Sequence, residues 1–377
     1  MITFVSQYIP QTVFDRVYVK KVKPGFQIQK FNHMVIEGIL SNGVSLKVVS
    51  AFPATRKVMD RWLLKEPSEG IYHYHLCINI PVLKDLWLFP ASFFTVLFGP
   101  RTAVILDPLS GANSLGAAAA CRLRRFRCVG IITDFPEFVA SSRLFCHIVN
   151  RTIQYCTDYV LLAGRMKERI PKANGHCCIV EGMCDQNITC VQVPAANRRH
   201  SILYAGNLDA ENGIQSLIDA FLSMKTKGFT LDIYGEGDYQ EEVKRIAAAN
   251  PTVSFHGNQP NPLIMNELAH AWLLVNPRPT CGEFVQYSFP SKTMEYMCTG
   301  TPFASTELPS IPAEYFQFIG SLKDGSVDDM SAALDSLLQQ DYSILMKKAQ
   351  QAGQFVLENK NNHIMVRKIL QMLGENI

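Results

Sequence analysis

Residues 201–224, "SILYAGNLDAENGIQSLIDAFLSM", pass from an apolar run at 201–205 through a turn at Gly206 into an amphipathic helix that starts near Gly213. An unbroken apolar run marks a strand covered on both faces. A glycine turn followed by helical spacing makes it the first half of a βαβ unit. The pattern returns at once in "FTLDIYGEGDYQEEVKRIAAAN", residues 229–250, where the turn holds Gly235, Glu236 and Gly237. Working outward, strands are predicted at "TVSFHG" (252), "WLLVNP" (272) and "TPFAS" (301). Toward the N-terminus they are predicted at "ITFV" (2), "SLKVVS" (45), "TAVILDP" (102), "VGIIT" (129), "YVLLA" (159) and "CCIVEG" (177). The rhythm pauses at "VQVPAANRRH", residues 191–200, which reads as a linker. Alternating strands and helices on either side predict two doubly wound α/β domains with a boundary near residue 196. The segment 342–373 reads as helical with a weak point at Gly353.

A chain of 377 residues exceeds one ordinary core. With 47% hydrophobic and 18% charged residues it is globular, and a net charge of +3 gives no support to nucleic-acid binding. The eleven cysteines lack the paired spacing of a zinc site, and the tightest group is Cys177, Cys178, Cys184 and Cys190, beside His176. They read as structural thiols of a reducing compartment. The opening "MITFVSQYIP" reads as a first strand, with neither a basic start nor a cleavage site. "LWLFPASFFTVLFG", residues 86–99, falls short of the roughly 20 residues of a spanning helix and contains Pro90. It suits a buried helix or a helix lying on a membrane face. The arginines 122, 124, 125 and 127 suit either a solvated helix end or attraction to anionic lipid or phosphate.

In doubly wound sheets ligands sit beyond the carboxyl ends of the strands, which here predicts a cleft between the two domains and directs attention to the turns after strands. After "WLLVNP" and the loop "RPTCGEFVQY" comes a helix predicted over 289–299, with Ser288 as its N-cap, Pro290 in its first turn, and Thr299–Gly300 as its stop. The free amides at its start and Lys292 make an anion site, best matched by phosphate. Glu295 would lean back toward the same ligand and accept hydrogen bonds from a diol. A nucleotide offers both groups. The same spacing also suits a lysine–glutamate pair within the helix.

"NPRP" and "SFPSKTMEYMCTGTPFAS", preceded by "YAGNL…NGIQSLIDAF" and "DIYGEGDYQEEV", resemble the nucleotide-binding half of retaining GT-B glycosyltransferases. The bacterial group that builds capsular, exopolysaccharide and O-antigen chains is the most similar. The resemblance covers residues 201–305 well. In the first half it is looser, resting on "KFNHMVIEGILSNGVSLKVVS", "GIITDFPEF" and "YVLLAGRMKERI". It implies two Rossmann-like domains facing a cleft, spanning 1–195 and 196–355, with residues 356–377 as a helix crossing back to the first domain. It implies that Glu295 holds the ribose, that Ser291 and Lys292 face the diphosphate, that Gly206 and Asn207 approach the donor, and that Gly235, Glu236 and Gly237 lie near the base. Two positions depart from the family. Tyr287 stands where a second glutamate is usual, and Asn207 and Asn212 occupy a turn that usually carries Arg and Lys. Lys292 and Arg278 are candidates to restore the charge, and Glu283 the carboxylate.

The resemblance implies transfer of a hexose, with retention, from a nucleoside-diphosphate sugar to a glycan or lipid-linked saccharide, at the cytoplasmic face of the cell membrane. Peripheral contact would run through 86–99 and 122–127. Lys292 and a helix end can stabilise a leaving diphosphate without a metal. No Asp-x-Asp stands at a strand end, "VDD" at 327–329 reading as a polar loop, and no cofactor is expected. On the acceptor side, Asp134 in "GIITDFPEF" follows a strand and is the leading catalytic candidate, with Glu137 second, although Asp134 equally suits a helix N-cap. His33 is a further cleft candidate that equally suits a packed or solvated position. Two other readings stay open: a sugar-nucleotide epimerase of the same architecture, and a partner subunit that binds nucleotide without turnover.

Overall fold

A computed structural model describes residues 1–18, 26–54, 59, 61–140, 142–188 and 193–375. Cys190 and part of the predicted linker lie outside the described residues. The chain divides into two compact units: Met1–Met183 with the segment from Asn362 onward, and Cys184–Asn361. The division falls at Met183/Cys184, whereas the linker-like composition had placed it near 196. Cys184 belongs to the second unit because its amide donates to the Lys360 carbonyl at 3.1 Å.

The first unit opens with β1 (Ile2–Ser6), α1 (Gln11–Val17), α2 (Phe26–Ser41), β2 (Leu46–Ser50), β3 (Leu63–Leu64), β4 (Tyr72–Tyr74) and β5 (Cys77–Ile78). It continues through α3 (Leu83–Leu97), β6 (Ala103–Leu106), α4 (Ala112–Arg124), β7 (Cys128–Ile132), α5 (Pro136–Val139), α6 (Arg143–Tyr155), β8 (Asp158–Leu161) and β9 (Cys177–Ile179). Among the described residues, seven strands form one parallel sheet in the order β4-β2-β1-β6-β7-β8-β9. The predicted runs at the centre of the sheet are buried on both faces, every residue of β1 and β7 being buried, whereas the edge strand β9 is only half-buried. β3 pairs antiparallel with β5 outside this sheet. β3, β4 and β5 were not predicted, since two or three residues each are too few to show a period.

α3 and α4 pack side by side. Gly116 makes this possible, because a Cβ there would lie 2.2 Å from the Phe89 carbonyl oxygen. α3 is not the buried helix expected as one alternative. It turns Leu88, Ser92 and Val96 inward and leaves Leu83, Leu86, Trp87, Phe89 and Phe94 exposed. No described helix is long and apolar enough to cross a membrane.

The second unit holds β10 (Ser201–Ala205), α7 (Ile214–Ser223), β11 (Thr230–Tyr234), α8 (Gln240–Ala249), β12 (Val253–Gly257), α9 (Asn261–His270) and β13 (Leu273–Asn276). α10 (Phe284–Tyr287), α11 (Ser291–Cys298), β14 (Phe303–Thr306), β15 (Gly320–Leu322), α12 (Val327–Leu338) and α13 (Tyr342–Asn359) complete it. Its described strands form a parallel sheet in the order β12-β11-β10-β13-β14-β15. A core of Ile202, Tyr204, Ile214, Leu217, Ile218, Leu231, Ile233 and Val275 lies against it. The direction of winding reverses between β10 and β13, so the carboxyl ends of these strands are the switch point where open α/β sheets bind ligands.

"VDD" at 327–329 opens α12, with Ser326 as the cap whose hydroxyl accepts the Asp329 amide, so it is not a loop. The helical tail breaks after Asn359, while Gly353 sits buried inside α13. α14 (Asn362–Met372) then packs Met365, Val366, Ile369 and Leu370 into the core of the first unit.

Candidate functional site

The turns after β10 and β11 and the start of α11 meet around one glycine. Gly206 follows β10, and its amide donates to the Tyr234 carbonyl at the end of β11 at 2.9 Å. Gly235, with φ +132°, lies against it so closely that a Cβ would fall 1.8 Å from the Gly206 carbonyl oxygen. The Leu208 amide donates to the Glu236 carbonyl at 2.9 Å, and Gly237 packs on Leu208 and Asp209. The Asp238 amide donates to Asp209 Oδ1 at 3.0 Å. Asn207 turns its side-chain amide onto the Asp209 carboxylate, and exposed Glu236 accepts from Asn258 Nδ2 at 3.1 Å.

Lys292 enters this junction from α11. A Cβ at Gly206 would lie 2.0 Å from its Nζ, so the ammonium occupies the space that the glycine leaves. Nζ donates to the Tyr204 phenol at 2.8 Å and lies 4.0 Å from the centre of that ring. Burial pushes this ammonium down from the usual lysine range to about 7; Arg278 lowers it further, and Glu295 acts in the opposite sense. A cation-to-neutral transition therefore falls near physiological pH.

α11 begins two residues later than expected. Its N-cap is Pro290, in extended conformation, and Ser288 instead ends the short helix α10. α10 was not anticipated, since four residues carry too little periodicity to read. Ser291 is exposed at the first position of α11, and its amide and that of Lys292 precede the first helical bonds. Glu295 is half-buried one turn on. Gly300, at φ +65°, follows Thr299 at the helix end as expected.

Arg278, after β13, is half-buried with its guanidinium 4.5 Å from the centre of the Phe284 ring. Glu283 is exposed just before α10, and Tyr287 ends that helix. The second unit thus gathers Gly206, Asn207, Gly235, Glu236, Gly237, Arg278, Ser291, Lys292 and Glu295 around the carboxyl ends of β10, β11 and β13.

Asp134 lies in the first unit, half-buried in the turn after β7. It is not the N-cap of α5. That position is Phe135, which makes no side-chain capping bond. Glu137 pairs with Arg169, whose guanidinium stands 4.6 Å from the centre of the Phe135 ring. His33 is exposed on α2, its Nδ1 3.0 Å from the Tyr8 hydroxyl.

The sequence reading missed two tyrosines. Tyr204 is fully buried, and its hydroxyl donates to the Asn207 carbonyl at 2.7 Å. The Tyr296 hydroxyl accepts from the Ala205 amide at 2.9 Å and donates to the Ala205 carbonyl at 3.0 Å, tying α11 to the end of β10. For Tyr204 the available signal was a hydroxyl-bearing aromatic in an otherwise apolar strand. Also unread was Asp107, wholly buried after β6, where burial raises its carboxyl and Asn32, Leu109 and Ser110 hydrogen bond to it. Among the described residues, no group of three or more His, Cys, Asp or Glu side chains is placed to hold a metal ion.

Residues 199–340 match the family described as Glycosyl transferases group 1. That match takes in the Gly206 and Gly235 turns, Arg278 and the whole of α11. No curated protein matches the chain. Solved structures similar to it include Anabaena HepE in complex with UDP, at 15% identity and TM-score 0.69, with 100% of each chain covered. The lipopolysaccharide outer core galactosyltransferase WaaB aligns at 17% identity and TM-score 0.64, covering 100% of this chain and 99% of that one. WaaG, a glycosyltransferase involved in lipopolysaccharide biosynthesis, aligns at 14% identity and TM-score 0.63, with 100% of each covered. The fold is that of the GT-B glycosyltransferases.

Proposed function

We propose that this protein is a retaining hexosyltransferase that moves a sugar from a nucleoside-diphosphate sugar to a glycan or lipid-linked saccharide in surface polysaccharide synthesis. The observation that carries the reading is the Lys292 ammonium seated in the hollow of Gly206 at the β10/β13 switch point, with Glu295 one turn further along α11. Breaking a sugar–phosphate bond leaves negative charge on the departing diphosphate. A fixed cation and the first amides of α11 oppose that charge as it grows. Glu295 accepts the ribose hydroxyls, Arg278 adds a second positive charge, and the Gly235–Gly237 turn lies by the base. Glu283 substitutes for the carboxylate that Tyr287 replaces, and Asp134 serves the acceptor. The reaction needs no metal and no cofactor.

UDP is the natural first donor nucleotide to test, because HepE is bound to it. A thermal-shift series with UDP, UDP-sugars and other nucleoside diphosphates, followed by nucleotide release from those that bind, tests the proposal. Stabilisation together with slow release supports a transferase. Stabilisation without release, with or without added saccharide, points to a binding subunit without turnover, which the Tyr287 substitution favours. Absence of stabilisation by any nucleotide defeats both.

The acceptor side is proposed to act at the cytoplasmic face of the membrane. The first unit exposes Leu83, Leu86, Trp87, Phe94 and Phe98 along and just beyond α3, and Leu123, Arg122 and Arg125 at the end of α4. Apolar contact and attraction to anionic headgroups together give reversible attachment. Two of the four arginines spend their hydrogen bonds on the fold, and Arg122 lies over the Tyr155 ring with its guanidinium 5.1 Å from the ring centre. Arg124 holds the Leu97 and Gly99 carbonyls at 2.7 Å each. Arg127 pairs with Asp158 at 2.9 Å and donates to the Met372 carbonyl. Arg122 and Arg125 are therefore the arginines assigned to the headgroups.

A further inference from the structure

We propose that Tyr204 is a positioning residue for the Lys292 ammonium, rather than a core tyrosine that happens to lie nearby. The inference rests on the reading of Lys292 as the cation that faces the diphosphate.

The phenol has two jobs with opposite polarity. Its O–H donates to the Asn207 carbonyl at 2.7 Å, which directs the oxygen lone pairs elsewhere. Lys292 Nζ lies 2.8 Å from that oxygen and donates to it. Burial pushes the phenol up, so it keeps its proton and remains an acceptor toward lysine. The ring itself contributes a second attraction, with Nζ 4.0 Å from its centre. An ammonium has three N–H donors, so one spent on Tyr204 leaves two for phosphate oxygens.

Other groups around the pair act on the same proton. Arg278, from the loop after β13, opposes the ammonium, and Glu295 on α11 favours it. Asp209, in the turn after β10, raises the Tyr204 phenol, while Arg278 lowers it. Tyr296 is also raised by burial and stays protonated. Removing the Tyr204 oxygen takes away a hydrogen bond to the charged form of Lys292 and shifts the balance toward the neutral amine. The phenol thereby links the backbone of the turn after β10 to the protonation state of the cation.

The test is calorimetric titration of the full chain with UDP at pH 7, 8 and 9, for wild type, Tyr204→Phe, Gly206→Ala and Lys292→Met, with thermal melting of each. Wild-type affinity is expected to fall by up to about tenfold per pH unit above the lysine transition. In Tyr204→Phe the fall should begin at lower pH, leaving UDP about tenfold weaker at pH 8, a shift of one unit. Lys292→Met should bind weakly with no pH dependence over this range. If Tyr204→Phe superimposes on wild type while Lys292→Met is weak and flat, the positioning role is overturned and the site reading survives. If Lys292→Met also superimposes on wild type, the site reading fails and the proposal with it. Should Tyr204→Phe fail to melt cooperatively, Gly206→Ala decides, because its Cβ would lie 2.0 Å from Nζ while the phenol stays intact. Wild-type UDP affinity in Gly206→Ala would then overturn the proposal.

Discussion

Gly235 and Gly206 meet backbone to backbone: a Cβ on Gly235 would fall 1.8 Å from the Gly206 carbonyl oxygen, and φ at Gly235 is +132°. The turns after β10 and β11 are thereby held together, and with them the hollow that takes Lys292. Gly235→Ala combines an unfavourable backbone conformation with a clash against main chain. It should cost at least ~2 kcal/mol, lowering the melting temperature by at least roughly 4 °C, or unfold the second unit. Thermal melting monitored by circular dichroism checks this, and an unchanged melting temperature would contradict the described packing.

Glu295 and Lys292 should separate binding from turnover. Glu295→Ala is expected to weaken nucleotide affinity by about ten- to a hundredfold, as for loss of a hydrogen bond to a charged group. Lys292→Ala should weaken UDP binding, as Lys292→Met does, but lower donor turnover by a larger factor, up to about a thousandfold, since the charge it meets grows in the transition state. Affinity and single-turnover donor hydrolysis measure the two effects. Wild-type kinetics in both variants would remove the site assignment.

Stability should depend on pH through Lys292. Its folded value is lowered from the usual 10.5 to about 7, chiefly by burial. Between these values the unfolded chain binds a proton that the folded chain does not, so this residue's contribution to stability rises with pH across the window. Relative to Lys292→Met, the wild type should gain melting temperature from pH 7 to 9.5. A constant difference between the two proteins would show that the ammonium titrates normally.

Charge on the proposed lipid-facing surface is open to direct test. Replacing Arg122 and Arg125 with glutamate should reduce sedimentation with anionic vesicles and leave donor hydrolysis intact. Arg124→Glu should instead destabilise the fold, because it strips the Leu97 and Gly99 carbonyls of their donor. Equal sedimentation of wild type with neutral and anionic vesicles, or with neither, would end this assignment.

Donor turnover should survive EDTA undiminished, since Lys292, Arg278 and the amides of α11 supply the positive charge. Activity lost in EDTA and restored by magnesium or manganese would refute it.

Local pattern carried the layout of this protein. Continuous apolar runs such as 128–132 and 201–205 have one stable use, as strands covered on both faces, and every strand predicted from such a run is present. The glycine turns at 206 and 235 and the helix carrying Lys292 and Glu295 were legible for the same reason: each is a property of consecutive residues. Short or irregular pieces were not legible. β3 and β5 have two residues each, and α10, at four, displaced the expected Ser288 cap to Pro290. What only the tertiary structure decided are the pairings between residues far apart in the chain. Tyr204 reaches Lys292 because β10 lies beside β13 in the sheet and the Tyr296 hydroxyl ties α11 to the end of β10. Arg124 caps α3 rather than facing solvent because Gly116 lets α4 lie against that helix. Sequence spacing assigns a residue to an element and a face, but the partner it meets there is set by which elements the sheet order brings side by side.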